Sequence, residues 1–545
     1  MKNIFKILIT CLLYSNTYFG QGWSWSKHIG SSANDMALHA SDSSDNLYVI
    51  TNFFGSYCYS PGDTSAFCNG KNDLFLNKYN SVGVLIWSKQ FGENNLNNCL
   101  EGIGAINVDK FGNIILVGSF CDMINFGCNT LSASGKNLFL VKLDVNGNCL
   151  WAKKSIGAGL YGASGLDIDD FGNIYICGTT SNSTIFDTDT ISAGGFILKY
   201  NSSGNLIWAK NKFRSFNNYP YFTEFLSFDL KLYNNHIFIS GNVFNDTIII
   251  DTSFSLLPQI NISSSLCSFD MNANIEWVKF FGGNNSGLGP RFCINENTGI
   301  YLAGGFAGQG VFDQFLLTGN STSDLYIAKF NFNGSINWVQ QANSSTISFG
   351  WSTASNKKDA SVYVTGYFGG TAYFGGFNVV ANSSRDMFIT HYDSVGVCFG
   401  VRNFSNAEGH IVTMDTNDFP IISGVFNDTI NIGLNSISSY GMQDVFIAKC
   451  DAITGNMENK PPNNQLLIYA NPTQGKCNIT IPDEFANEKQ LTLTVYDNIG
   501  RVIQVQTITM HEGKIKLNLT AEAKGMYHVS LSNGKKSFNG KIVFE

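Results

Sequence analysis

Apolar and polar positions along the chain fall into short strand-like runs, each ending in a small residue or a turn. One such run recurs: NLYVIT at 46 to 51, NIILVG at 113 to 118, NIYICG at 173 to 178, HIFISG at 236 to 241, GIYLAG at 299 to 304, SVYVTG at 361 to 366 and PIISG at 420 to 424. The spacing averages about 62 residues, the signature of a repeat architecture. A second series keeps step with the first, as DLFLNKY from Asp73, NLFLVKL from Asn137, GFILKY from Gly195, SLCSFD from Ser265, DLYIAKF from Asp324, DMFITHY from Asp386 and DVFIAKC from Asp444. A third series centres on Trp25, Trp87, Trp151, Trp208, Trp277 and Trp338, with Phe399 in the seventh place.

Each period therefore predicts two hairpins. One turns through Asp-x-Phe-Gly-Asn, as at Asp109 to Asn113 and Asp169 to Asn173, and the other through Asn-x-x-Gly or Asn-Gly, as at Asn201 to Gly204. Gly and Asn are the residues that accept the positive φ of such turns. Runs such as DLFLNKY are apolar on both faces, as expected of a strand covered by neighbours on either side. Four strands in about 62 residues predict one propeller blade per period. The Trp strand at 22 to 30 has no partner before it, and Asp444 to Cys450 has no Trp strand after it, so the two ends are expected to complete one blade and hide each other's edge. The fold class expected is all-β: a seven-bladed β-propeller over residues 23–456, closed by its N-terminal strand, followed by a small C-terminal β-sandwich. Both tight turns lie at one end of every blade, which puts the long connections, and a binding surface, at the other.

Lys2 and Lys6 flank a short apolar stretch, Ile7 to Leu13, which reads as a secretory signal peptide over residues 1–22. No later apolar run is long enough to span a membrane as a helix. Charged residues make up only 14% of the chain and 55 residues are Gly, a turn-rich β composition. The formal charge is −7. With the two leading lysines set aside and nine Lys or Arg against seven Asp or Glu in the last 83 residues, the central body sits near −11. A body of that sign repels phosphate backbones, so nucleic acid is not an expected partner.

Asp-x-x-Gly-Asn-Ile-Tyr-x-x-Gly, with the later Asp-x-Phe-x-x-Lys-Tyr and Trp-x-Lys, resembles the seven-bladed repeat of exported bacterial propellers, a resemblance that implies a fold and no activity. The periodic pattern stops after Asp451, and residues 457–465, with Pro461 and Pro462, read as a linker. Residues 466–545 carry the short apolar runs LLIYA, CNITI, LTLTVYD, VIQVQTI, KIKLNL, MYHVSL and KIVFE. Within them Asn471-Pro472-Thr473-x-Gly475, Val495-Tyr496-Asp497-x-x-Gly500-Arg501 and Gly525-Met526-Tyr527 resemble the type A sorting domain of the type IX secretion system of Bacteroidota. The resemblance implies handling by the type IX secretion machinery, with Asn471, Pro472, Gly475, Asp497, Gly500, Arg501, Gly525 and Tyr527 as the sorting signal. It further implies passage through the periplasm and outer membrane to a secreted or cell-surface location.

Catalytic signatures are sparse. There is no Gly-x-Ser-x-Gly and no His-Glu-x-x-His, and no catalytic or metal residue is assigned. His39 and His410 with Glu408 fall on strands expected to be neighbours and are weighed as a metal site against plain strand histidines. Asp167-x-Asp169 is weighed as a calcium site against a simple turn; no cofactor is expected. Cys58 with Cys68 and Cys121 with Cys128 are candidate disulfides, while Cys149, Cys267 and Cys398 are expected as buried thiols. The lysines beside the repeats, such as Lys78 and Lys329, are expected to lay their stems on indole. A loop at 211 to 225 breaks the repeat and gathers Phe216, Tyr219, Tyr221 and Phe222, the candidate ligand-binding residues. The functional expectation is an exported, non-catalytic propeller that binds a glycan or protein at or outside the cell surface. The alternative is a secreted carbohydrate-active enzyme, a lyase or hydrolase, with its catalytic residues in the hub.

Overall fold

The computed structural model describes residues 22–53, 57–60, 63–67, 73–92, 102–157, 160–215, 225–243, 248–250, 255–256, 264–284, 291–433, 435–451, 466, 468–469, 473–482, 485, 488, 490–497, 501–509, 514–533 and 537–544. Residues 1–21 of the expected signal peptide and the expected linker lie outside these, as do Phe216, Tyr219, Tyr221 and Phe222. The chain divides into two compact units, Met1–Gly455 and Asn456–Glu545. Described residues contain no α-helix.

In the first unit four antiparallel strands recur in the order of the sequence ladders. Met36–Ser41, Leu47–Phe53, Asp73–Tyr79 and Leu85–Phe91 pair in that order. So do Gly102–Val108, Ile114–Asn125, Thr130–Leu143 and Cys149–Ile156, and Leu160–Ile168, Ile174–Thr180, Gly194–Tyr200 and Leu206–Ser215. Phe225–Tyr233, His236–Val243, Ser264–Asp270 and Ile275–Asn284 repeat the pattern. Arg291–Asn295, Gly299–Phe312, Asp324–Phe330 and Ile336–Ser344 follow, then Ile347–Ser355, Val362–Gly369, Asp386–Tyr392 and Cys398–Phe404. The last set, Ala407–Met414, Pro420–Phe426 and Asp444–Cys450, takes its fourth strand from Trp23–Ser31, with Trp25 opposite Lys449 and Ile29 opposite Val445.

Several second and third strands are buried along their whole length, as at Leu47–Phe53, Asp73–Tyr79 and Asp324–Phe330, which explains why they are apolar on both sides. The first strands of successive sets lie side by side, and those of the last set lie beside Met36–Ser41.

The connection between second and third strands is itself a hairpin in most sets, and it reaches back to the fourth strand of the preceding sheet. Tyr57–Ser60 pairs with Trp23–Ser31, Thr184–Phe186 with Cys149–Ile156, Ile248–Ile250 with Leu206–Ser215 and Thr371–Phe374 with Ile336–Ser344. These connections cover sheet edges. The Asp that opens each Asp-x-Phe run anchors them from beneath: fully buried Asp324 accepts hydrogen bonds from Asn320 N (2.7 Å) and Ser344 N (2.9 Å), and Asp386 accepts from Asn382 N (3.0 Å).

Successive sheets are locked through tryptophan and glycine. The indole N–H groups of Trp25, Trp151, Trp277 and Trp338 donate to Ser81 O, Ser202 O, Phe332 O and Ser394 O at 3.3, 3.3, 3.1 and 3.0 Å, each in a tight turn of the next sheet. The turn glycine lies against the ring. Gly334 has φ +82°, and a Cβ on it would stand 2.8 Å from Trp277 Cε3. Both constraints disfavour a side chain, so Gly334→Ala is expected to cost about 1–3 kcal/mol, read from the midpoint of chemical denaturation. Trp208 provides the control: Ala273 occupies the equivalent turn position at φ +61° and packs in the same core cluster, so Ala273→Gly should be neutral or slightly stabilising.

One side-chain expectation gains detail and another needs correction. The lysines of the third strands stand directly across from fourth-strand tryptophans, Lys78 from Trp87, Lys199 from Trp208 and Lys329 from Trp338, while their ammonium heads lie over second-strand tyrosines: Lys78 over Tyr48, Lys199 over Tyr175 and Lys329 over Tyr301, at 5.0, 4.8 and 5.3 Å. Lys142 instead pairs with turn residue Asp109 at 2.9 Å and Lys449 with Asp415 at 2.5 Å. Register sets both neighbours: adjacent antiparallel strands place Tyr48 and Trp87 directly opposite Lys78. Among the cysteines, Cys149 is not a free thiol but is bonded to Cys128, and Cys121 is disulfide-bonded without Cys128. The Asn125-to-Cys128 turn folds toward the start of the fourth strand, not back along its own. Cys267 is free and buried, as expected, and Cys398 is free but half-buried; desolvation pushes its thiol up to about 11. Of the pair Cys58 and Cys68, the second lies outside the described residues.

The second unit is a sandwich. Ile468–Tyr469, Lys476–Thr480 and Lys514–Asn518 form one sheet; Val502–Thr509, Gln490–Tyr496, Gly525–Ser532 and Ser537–Phe544 form the other. Alternating residues such as Leu491, Leu493 and Val495 turn inward with Ile479, Val529, Leu531 and Ile542 to make the core.

Candidate functional site

The tail motifs sit at the corners of the sandwich. The Asp497 carboxylate accepts from Arg501 N and Arg501 Nε, both at 2.8 Å, closing the Asp-x-x-Gly-Arg turn. Gly475 has φ +96° and a Cβ there would meet the Phe544 ring at 3.1 Å, while Thr473 N donates to Val543 O at 2.8 Å. Gly525 opens the strand in which Tyr527 is buried. Asn471, Pro472 and Gly500 lie outside the described residues. The motif thus fastens the final strand of the chain into the fold.

In the first unit, first-strand residues surround a cavity of about 310 Å³. Polar groups at and beside its wall tie neighbouring sheets together. Asp229, on the wall, accepts from Leu230 N (3.0 Å) and Phe292 N (3.3 Å), and Asp167, next in the chain to lining residue Leu166, accepts from Asn107 Nδ2 (2.9 Å), Ile168 N (2.9 Å) and Leu232 N (2.7 Å). His39 bridges Ser423 Oγ at 2.8 Å and Thr413 Oγ1 at 2.9 Å. Burial, assisted by the Arg291 charge, lowers the His39 imidazole to about 3, so it is neutral at physiological pH. Burial, with the Asp229 charge, lifts Asp167 above the usual aspartate value, against the pull of Lys231 and its N–H donors. Burial pushes the Cys293 thiol up to about 11, leaving it protonated and unreactive.

The expected alternatives for metal fare poorly here. His39 is engaged by two hydroxyls, while His410 lies 3.7 Å from Glu408 and edge-on to Trp351. Asp169 closes its own turn on Phe171 N and Asn173 N, and Asp167 faces other donors. Among the described residues no group of three His, Cys, Asp or Glu is placed to hold a metal ion.

A second cluster lies where the last two first strands begin, at the end that carries the long connections. Both strands bulge at the same place: pairing shifts between Gly350 and Ser352 and between Gly409 and Ile411, so Trp351 and His410 are the inserted residues. A bulge re-aims its side chain. Other first strands bulge equivalently, with Gly104 and Ser164 inserted, so the backbone device repeats while the side chain changes. Trp351 and His410 rings meet edge to face at 5.4 Å, Phe349 lies 5.1 Å from Trp351 and stacks on Tyr367 at 6.0 Å, and Arg385 covers Tyr367 at 4.6 Å. Arg385 Nη1 donates to Glu408 Oε1 at 2.8 Å. Burial raises the Glu408 carboxyl, but its contacts with His410 and Arg385 more than offset this and hold it below the usual glutamate value. The buried Trp351 Nε1–H has no acceptor among the described residues. A groove of about 840 Å³ lined by Asn320, Thr322, Ser345, Thr346 and Arg385 adjoins the cluster. Sequence reasoning singled out His410 and Glu408 only as metal ligands with His39, and missed Trp351, Tyr367 and Arg385, because nothing in the local sequence shows that two bulges align.

Residues 467–545 match the family model of a secretion system C-terminal sorting domain. The chain carries this type IX sorting domain, which marks it for handling by that machinery and for export to the cell surface or outside. No helix among the described residues is long and apolar enough to cross a membrane. No curated protein matches the chain. Among solved structures the chain is similar to the Dos1 propeller, 10% identical over 79% of this chain and 96% of that one with a TM-score of 0.37. It is similar to a Synechocystis apocarotenoid oxygenase mutant, 10% identical over 70% and 93% of the two chains with a TM-score of 0.33. It also resembles a Bombyx mori GH32 β-fructofuranosidase, 9% identical over 82% and 86% with a TM-score of 0.26.

Proposed function

We propose that residues 23 to about 456 form a seven-bladed β-propeller closed by its first strand, which binds a glycan or protein partner at or outside the cell surface without catalysing a reaction. In this reading residues 1–22 are a signal peptide and the tail belongs to the sorting type of Bacteroidota. Ring closure is supported by the pairing of Trp23–Ser31 with Asp444–Cys450 and by the adjacency of the last and first inner strands. The absence of a catalytic role is supported by the hub chemistry: Asp167 and Asp229 are tied to backbone N–H groups, His39 is neutral and doubly bonded, and the Cys293 thiol is protonated.

The observation that carries the binding role is the bulge-presented cluster of Trp351 and His410 beside Phe349, Tyr367 and Arg385. Aromatic faces flanked by Arg and Glu suit a sugar ring or a peptide. The aromatic loop with Phe216, Tyr219, Tyr221 and Phe222 is proposed as a second contact.

The test is a glycan and surface-protein screen with the mature chain, followed by variants. Trp351→Ala is expected to weaken the captured ligand at least tenfold, about 1.4 kcal/mol, with Trp351→Phe intermediate and both melting near wild type. The triple change of Tyr219, Tyr221 and Phe222 to Ala should act in the same direction. Undiminished binding by Trp351→Ala would remove the cluster from the site.

A further inference from the structure

The central cavity contains a charge that nothing in the described structure answers. Lys231 and Asp229 pair across 3.6 Å, and Asp167 is occupied by three N–H donors. Arg291 also lines the cavity, yet among the described residues no hydrogen bond or ion pair engages its guanidinium. Its charge is felt by both His39 and Lys231, which places it toward the cavity rather than out along its own sheet. Lys357 lines the same cavity, exposed, and adds a further positive charge. This occurs in a chain of formal charge −7, where a cation without a carboxylate is unexpected. An unanswered guanidinium in a confined site is costly unless something binds it.

Size and charge narrow what that could be. A cavity of about 310 Å³ is at the lower limit for small-molecule pockets and suits one sugar-sized molecule, not a polymer. Arg presents parallel N–H donors that match a planar carboxylate. Asp229 on the same wall disfavours a dianion, because each extra negative charge adds repulsion in a poorly solvated site.

Resting on the reading of this chain as a binding protein, we infer that the central cavity is a subsite for a small carboxylate-bearing ligand of acidic-monosaccharide size, gripped by Arg291. Lys231 is held by Asp229 and shapes the pocket, while Lys357 draws the anion in.

The test uses the full mature chain with D-glucuronate as probe, against D-glucose and sodium sulfate at equal concentration and matched ionic strength. Calorimetry and thermal melting are expected to show binding of glucuronate and at least tenfold weaker binding of glucose and sulfate. Arg291→Met should lose at least tenfold in glucuronate affinity, and Arg291→Lys should recover part of it. Without ligand, Arg291→Met should melt at or above the wild-type temperature, because it removes an unanswered charge. A clear drop in that unliganded melting temperature would make Arg291 structural and overturn the inference. So would equal responses to glucuronate and glucose, equal responses to glucuronate and sulfate, or undiminished binding by Arg291→Met. If the screened ligand still depends on Trp351 while glucuronate fails, the binding reading stands and this subsite alone falls.

Discussion

Deleting Trp23–Ser31 is expected to lower the melting temperature of the chain more than any single substitution and to drive aggregation. The segment is the fourth strand of the last sheet, so its loss bares the edge of Asp444–Cys450 and abolishes the seat of the Tyr57–Ser60 hairpin. Its side chains matter as much as its backbone. Ile29 is fully buried, Trp25 donates to Ser81 O in the neighbouring sheet, and Trp23 packs edge-on against Phe404 at 5.7 Å. His28 Nε2 lies 2.6 Å from the fully buried Asp444 carboxylate and stacks on Tyr440 at 4.4 Å. Removing His28 leaves a buried carboxylate one partner short, at about 1–3 kcal/mol, and burying Ile29 supplies about 2 kcal/mol more. The whole deletion should therefore exceed about 5 kcal/mol, with His28→Ala alone giving a partial effect. Scanning calorimetry and light scattering check this. An unchanged melting curve would mean that the array stays open and that the pairing contributes nothing to stability.

Truncation after residue 462 should abolish surface delivery while the preceding unit stays folded. The two units are separately compact, and the sandwich core is built wholly from Leu466 onward. Surface protein, measured by protease accessibility on intact cells, is expected to fall at least tenfold, with a folded product retained inside the outer membrane. A finer variant separates recognition from mere presence of the tail. Gly475→Val requires φ +96° of a β-branched residue and drives a side chain into Thr520 and Phe544, so it should loosen the final strand and reduce delivery. Asp497→Ala removes the acceptor of both Arg501 donors and should act in the same direction more weakly. Normal surface levels of the truncated chain would refute a sorting role.

Strand order, turn chemistry and the tail were readable from the chain because they depend on residues close in sequence. Alternation and apolar runs mark strands wherever neighbours cover them, and Asp-x-Phe-Gly-Asn turns use local donors: Asp109 accepts from Phe111 N and Asn113 N, and Gly112 takes φ +81°. Repetition about every 62 residues made the signal robust, since each copy tests the others. The sorting motif was legible for the same reason, its Gly and Asp-Arg positions being turn chemistry.

What the tertiary structure alone decided are contacts between strands far apart in the chain. Lys78 stands between Tyr48 on one side and Trp87 on the other because register sets which side chains face each other, and its ammonium head lies over Tyr48. Cys128 finds Cys149 across the start of a strand, and the long connections turn back as edge covers. His39, Asp229 and Arg291 reach one cavity from first strands of different sheets, and Trp351 joins His410 only because two bulges align. Composition and periodicity carry no information about these meetings, since each depends on how one sheet packs against the next and on the one-residue shifts that re-aim a side chain.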